Sequence, residues 1–371
     1  MKGSLFLGQF AQIKVYVHWT FFILFAFIIY SGVSAGQSVD AIAWHLLFLI
    51  TIFGCVILHE FGHALTGRRY GFKTKDIILL PIGGLARFEK LPENPIQEFV
   101  VAIAGPMVNF AIAFVLYFIT QPSAHMILNL DLSSINQENF VTLIWIVNLS
   151  LGLFNLIPAF PMDGGRIFRA ILSMFQPREK ATKNAARLGL LLALGFIVLG
   201  LYYNPFLIFI GGFIILSASS ESSIVSAQAL LEGHKAGDIV MHNFSSLNHD
   251  LSIAQASEAV LDRQSTHFVI YSDSKEVVGT VNRDQIIKSL KVMDHKTTLS
   301  SIMNPVLEHI PAETSLKELY TSQILRNNVM VPVTENGEVV GVINLENILE
   351  FLAIKQATPQ WKSILQRHKP T

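Results

Sequence analysis

His59-Glu60-Phe61-Gly62-His63 sets two imidazoles at i and i+4 around a carboxylate, inside the apolar run 42–66. On a helix these two positions share a face, so both rings can converge on one metal ion. Glu60 projects beside that face, where it can take a proton from a water molecule; this is the mechanical content of the H-E-x-x-H pattern. Residues 44–58 are apolar enough to lie in lipid, where an unpaired His-Glu-His cluster is costly and marks a functional site by default. The bland alternative is a polar patch that caps or pairs at a helix end. Cys55, one turn before His59, reads as a packed apolar side chain. As the only cysteine it excludes an intrachain disulfide and a cysteine-rich zinc module.

A catalytic zinc takes three protein ligands and keeps one position open, so two histidines leave one ligand to find. The candidate is Asp163, in Asn155-Leu156-Ile157-Pro158-Ala159-Phe160-Pro161-Met162-Asp163-Gly164-Gly165-Arg166. Pro158 and Pro161 prevent a regular helix, and Gly164-Gly165 let the backbone turn tightly. Irregular backbone at membrane depth is tolerated where it lines a protected, wet cavity. Taken alone, Asp163 reads equally as a surface Asp-Gly turn; beside the two histidines it reads as a ligand. Residues 76–88 read as extended structure broken at Pro81 and at Gly83-Gly84. That segment either pairs with substrate backbone by strand addition or is a packing hairpin, and the sequence leaves both open.

The elements that must hold these groups look like membrane helices. Of the 371 residues 51% are hydrophobic and 15% charged, and the apolar runs fall in the first 230 or so. Six segments have spanning character: 15–30, 42–66, 99–120, 141–157, 188–203 and 205–220. Two or three are short against the roughly 20 residues a crossing helix needs. Residues 31–41 and 121–140 carry no Lys or Arg, nor does the Asn204-Pro205 turn. The alternate connections hold Arg68, Arg69, Lys73, Lys75, Arg87 and Lys90, then Arg166, Arg169, Arg178, Lys180, Lys183 and Arg187. The positive-inside rule therefore expects both termini, and the histidine end of 42–66, on the cytosolic side. Val33-Ser34-Ala35 resembles a signal cleavage site, but a strand-like stretch (Ile13-Lys14-Val15-Tyr16-Val17) precedes the first run, which is expected to stay uncleaved. A formal net charge of zero gives no argument for a nucleic-acid partner. His45 and His125 fall at the uncharged side and receive no role.

After 217–226, which reads as a helix end and linker, a soluble module begins near 235. Lys275-Glu276-Val277-Val278-Gly279-Thr280-Val281-Asn282 repeats as Gly337-Glu338-Val339-Val340-Gly341-Val342-Ile343-Asn344, 62 residues later. Ile239-Val240-Met241 and Ser301-Ile302-Met303 precede the copies at the same offset. Two β-α-β-β-α units at this spacing resemble a tandem CBS pair over 235–354, split as 235–293 and 294–354 and followed by a tail, 355–371. The resemblance implies a regulatory module that takes an adenine nucleotide or pairs two chains. The family's ribose-holding Ser/Thr and Asp are here Asn282 and Gln285, then Asn344 and Asn347, with Asp284 and Glu346 one residue early. Asn282, Asp284, Asn344 and Glu346 are therefore the candidate nucleotide contacts.

With His59-Glu60-Phe61-Gly62-His63, the Asn155-to-Gly164 stretch and Ala104-Gly105-Pro106-Met107-Val108-Asn109, residues 1–226 resemble a prokaryotic site-2 protease of peptidase family M50, in the subgroup with C-terminal CBS domains. Met162 stands where the family has Leu, a volume-conserving exchange. The resemblance implies a multi-pass α-helical domain with short β segments at its cytosolic side. It implies one Zn2+ on His59, His63 and Asp163, Glu60 as general base and then acid, and Asn155 near the scissile carbonyl. His18, Gly83, Gly84 and Asn109 become candidates for lining the site, although a lone interfacial His18 reads as readily as an anchor. The expected activity is hydrolysis of peptide bonds within or near transmembrane segments at the cell membrane, with Gly, Pro or other weak helix formers near the cut. The competing reading, a CBS-regulated channel or transporter, expects repeated membrane halves and a polar through-path; neither is visible.

Overall fold

The computed structural model describes residues 3–81, 83–88, 92–122, 134–263, 265–274, 276–305, 309–322, 324–327 and 330–357. Lys90, His125, Lys275 and most of the expected tail lie outside the described residues. The chain divides into two compact units, Met1–Ser223 and Ile224–Thr371.

The first unit begins with a hairpin of β1 (Ser4–Phe10) and β2 (Ile13–His18), turned by Ala11 and Gln12 at positive φ. The run expected at 15–30 is thus split: β2 ends at His18 and helix α1 (Phe21–Ser34) follows. Helix α2 (Val39–Arg69) starts where Ser38 accepts the Ala41 N–H and ends on Arg68 and Arg69, cations suited to a helix C-terminus. Next come β3 (Thr74–Leu80) and β4 (Gly83–Phe88). The four strands form one sheet in the order β1-β2-β3-β4, with β2 and β3 parallel and the other pairs antiparallel. Val17 and Leu79 pack with Phe53 on α2, and Ile13 and Ile77 with Ala64, so the sheet is laid on the half of α2 that carries the histidines.

Helix α3 (Pro95–Thr120) has Asn94 as N-cap and Pro95 at its first position, both favourable starts. Helix α4 (Phe140–Asn155) ends before the two prolines. A loop leads to α5 (Asp163–Ser173), α6 (Arg178–Tyr202) and α7 (Phe206–Leu231). In the loop Ala159, Phe160 and Met162 are buried against α6 and α7. Among the described residues α2, α3, α6 and α7 are long and apolar enough to cross a membrane. Helices α1 and α4 are apolar but only 14 and 16 residues long. The boundary between the two units, Ser223/Ile224, falls inside 217–226, the stretch read as a helix end and linker; its conformation is helical, as part of α7, with Ala218 and Val225 buried and Glu221 ion-paired to Arg169.

The second unit holds two repeats. In the first, β5 (Ser246–Asn248), α8 (Ile253–Arg263), β6 (His267–Tyr271), β7 (Val277–Asn282) and α9 (Arg283–Val292) lead to β8 (Asn304–Pro305). In the second, β9 (Ile310–Pro311), α10 (Leu316–Thr321), α11 (Ile324–Asn327), β10 (Val331–Glu335), β11 (Glu338–Ile343) and α12 (Leu345–Ala357) follow. The sheets run β5-β6-β7-β8 and β11-β10-β9. The repeats exchange their leading segments. Met241 pairs with Val342 and lays its backbone carbonyl against Gly341, while the Met303 side chain packs on Gly279, the equivalent positions of the 62-residue repeat.

Candidate metal centre

Two helices deliver the three ligand candidates. Helix α2 carries His59 and His63, one turn apart, and Asp163 is the first residue of α5, where the helix dipole favours a carboxylate. His59 Nε2 and His63 Nε2 lie 3.0 Å apart, and each is 3.1 Å from Asp163 Oδ2. All three side chains are buried.

The second nitrogen of each ring is already used. His63 Nδ1 donates to the Val101 carbonyl at 2.8 Å, and His59 Nδ1 donates to Asn109 Oδ1 at 2.5 Å. Asn109 in turn donates to Asn148 Oδ1 at 3.0 Å, and Asn148 donates to the Ile144 carbonyl at 2.9 Å and to Cys55 Sγ at 3.3 Å. With both Nδ1 protons given away, the neutral rings turn two Nε2 lone pairs toward each other, an arrangement that repels unless a cation sits between them. A tetrahedral zinc with ligands at about 2.0–2.2 Å separates them by about 3.3–3.6 Å. Two imidazoles and a carboxylate fit that ion in chemistry, and their triangle of 3.0–3.1 Å edges need open by only a few tenths of an ångström to admit it.

Glycines make room for the cluster. A Cβ on Gly105 would lie 2.2 Å from His63 Nε2 and 2.6 Å from His59 Nε2, so α3 passes the rings with bare backbone. Gly164 and Gly165, expected to form a turn, instead open α5; a Cβ on Gly164 would sit 2.3 Å from the carbonyl oxygens of Leu156 and Ile157. Their smallness lets the loop fold against the helix that begins with Asp163.

Glu60 reaches β4. Its Oε2 accepts the Ala86 N–H at 3.1 Å, and a Cβ on Gly84 would lie 2.7 Å from its Cγ. Strand β4 ends the sheet, and Ala86 points its N–H away from β3, so the open edge of β4 faces Glu60. Gly83 takes a positive φ of 137° at the strand's start.

The other candidates are placed as follows. Asn109 orients His59. Asn155 Nδ2 donates to the Leu151 carbonyl at 3.0 Å, and its second N–H has no partner among the described residues. His18 bonds the Thr20 hydroxyl at 2.7 Å, on the opposite strand face from Val17, which packs toward α2. Asn282 and Asn344 cap α9 and α12 in matching boxes with Gln285 and Asn347, while Asp284 and Glu346 are exposed. Sequence reasoning missed Asn148 and the buried cluster of Glu98, Arg169 and Glu221. The signal for Asn148 was its place as an amide inside an apolar span.

The model of peptidase family M50 matches residues 47–196, and that of the CBS domain matches 299–354. A zinc metalloprotease of Methanocaldococcus jannaschii is 34% identical over 363 residues, covering 98% of this chain and 100% of the relative. The chain belongs to peptidase family M50. It is a zinc metalloprotease of the site-2 protease type with a CBS region, which sets aside the channel or transporter reading. Stage IV sporulation protein FB of Bacillus subtilis is 31% identical over 138 residues, 37% of this chain and 44% of that protein. The solved site-2 protease from M. jannaschii is 37% identical, covers 59% of this chain and 95% of its own, and superposes with a TM-score of 0.43.

Proposed function

We propose that this zinc metalloprotease is an intramembrane endopeptidase. It cuts within or near transmembrane segments of other proteins, has both termini on the cytosolic side, and is modulated by its CBS module. The observation that carries the reading is the convergence of His59, His63 and Asp163 with both Nδ1 protons already placed. Those three side chains would hold the zinc, which when bound lowers the pKa of water to roughly 7 and polarises a carbonyl. Glu60 Oε1 takes the proton of the attacking water, with Oε2 steadied by the Ala86 N–H. As the C–N bond breaks, Glu60 returns that proton to the leaving amine. The second N–H of Asn155 is the donor for the developing oxyanion.

A helical substrate hides its carbonyls in its own hydrogen bonds, so the cut segment must unwind. The open edge of β4 offers it backbone partners once extended, with Ala86 marking the place of Glu60. In the CBS module the starts of α9 and α12 are where an adenine nucleotide would meet the chain.

The test compares purified wild type with Glu60→Gln on a membrane-peptide substrate, with zinc measured in both. Glu60→Gln is expected to retain zinc and lose cleavage by at least about 10²-fold. Equal turnover in the two would remove Glu60 as the base.

A further inference from the structure

Beside His63 lies a cavity of about 20 Å³, room for one water, lined by Phe88, Glu98, Val101, Arg166 and Arg169 among others. Three arginines and two carboxylates gather there. Arg169 is fully buried and bonds both Glu98 and Glu221, and Arg178 Nη1 bonds Glu98 Oε2 at 2.7 Å. Those two guanidiniums hydrogen-bond both acids, and the Arg166 charge also acts on Glu221. Arg166, one turn after Asp163 on α5 and half-buried, makes no hydrogen bond or ion pair with any described residue. Arg87 on β4 is no alternative, because Asp76 holds it at 2.6 Å.

Strand geometry says what passes this cation. Phe88, which shares the cavity with Arg166, ends β4 two residues beyond Ala86. Two residues of strand span about 6.6 Å. A substrate paired along that edge with its scissile bond at Glu60 therefore carries the side chain about two residues away past Phe88 to Arg166. We propose that Arg166 is a specificity residue that binds a carboxylate side chain, Asp or Glu, two to three residues from the scissile bond. The inference rests on the strand-edge reading given under the proposed function. A charge-assisted, bidentate partner is what a guanidinium with no hydrogen-bonded acid selects in a partly dry site.

The test uses the full chain in micelles and a peptide series with Glu, Gln or Lys at each of the three positions on either side of the cut. Wild type is expected to prefer Glu over Gln at one position by about 10-fold in kcat/KM. Arg166→Gln should lose that preference while cleaving the Gln peptide near the wild-type rate with zinc retained, and Arg166→Glu should favour Lys there. An unchanged Glu-to-Gln ratio in Arg166→Gln overturns the assignment. So does an equal loss on every peptide with zinc retained, the result expected of an arginine that pairs with lipid phosphate. Absence of any wild-type cleavage counts against the endopeptidase reading itself, and this assignment falls with it.

Discussion

Asn109 and Asn148 touch no substrate in the scheme above, yet they decide which nitrogen of His59 is free. The bonds run one way, from His59 to Asn109 to Asn148, whose amide donates to both the Ile144 carbonyl and Cys55 Sγ, and both amides are almost wholly buried. Partners of this kind fix the tautomer and raise ligand basicity, and losing one commonly costs 10–100-fold in metal affinity. Asn148→Leu leaves Asn109 with an unplaced amide and is expected to weaken zinc binding by about that factor. Competition with a chelator measures it, and excess zinc should restore much of the peptidase rate; unchanged affinity would show that the Asn109–Asn148 bond is incidental. Gly105 is stricter, because its substitution acts on ligand atoms directly. A methyl 2.2 Å from His63 Nε2 cannot be accommodated without moving the ring. Gly105→Ala is therefore expected to purify with less than about a tenth of the wild-type zinc, and excess metal should not restore it. The HExxH pair was legible because helical periodicity sets its geometry locally. Gly105 was read only as part of a motif, since its contact with the imidazoles exists only after α3 packs on α2.

At the scale of elements, a buried ionic knot joins α3, α5, α6 and α7: Glu98, Arg169, Arg178 and Glu221 come from four different helices. It secures the helix that presents Asp163, with the Arg169 guanidinium also stacked over Phe160 in the preceding loop at 5.1 Å. Removing one partner of such a buried pair strands the other charge, at a cost of about 3–5 kcal/mol. Glu98→Gln is expected to lower Tm by several degrees and to reduce zinc retention, because α5 loses its anchor. A scan of wild type and Glu98→Gln with and without added zinc checks this; an unchanged Tm would mean that the knot is not what holds α5. The same knot explains why the stretch at the unit boundary is helical. Ser217-Ala218-Ser219-Ser220-Glu221-Ser222-Ser223 looks like a linker, since serine has modest helix propensity. Burial of Ala218 and the Glu221–Arg169 pair override it. The β2 alternation, by contrast, was legible, because Ile13, Val15 and Val17 all face the core.

For the molecule as a whole, the 62-residue repeat foretold the pseudo-symmetry of the CBS module, but not that each copy rests its leading methionine on the other's glycine. That exchange closes the two copies into one body, so the nucleotide question concerns a preformed surface. At each helix start the Asn side chain is spent on a cap: Asn282 Oδ1 accepts the Gln285 N–H at 2.7 Å, and Asn344 Oδ1 accepts the Asn347 N–H at 2.8 Å. What remains for a ligand is the exposed carboxylate next in line, Asp284 or Glu346. A carboxylate accepts ribose hydroxyls well and repels phosphate. Arg283 lies 3.9 Å from Asp284 and partly offsets it, whereas Leu345 occupies that place in the second copy. One nucleotide per chain is therefore expected, at the first copy, and AMP should bind more tightly than ATP because Asp284 cancels the Arg283 charge that the added phosphates would need. Calorimetric titration of the full chain with both ligands checks stoichiometry and order, and Arg283→Glu should weaken AMP. Tighter binding of ATP would overturn this account of Asp284 and Glu346, and heat from neither ligand would remove the nucleotide from the proposed regulation.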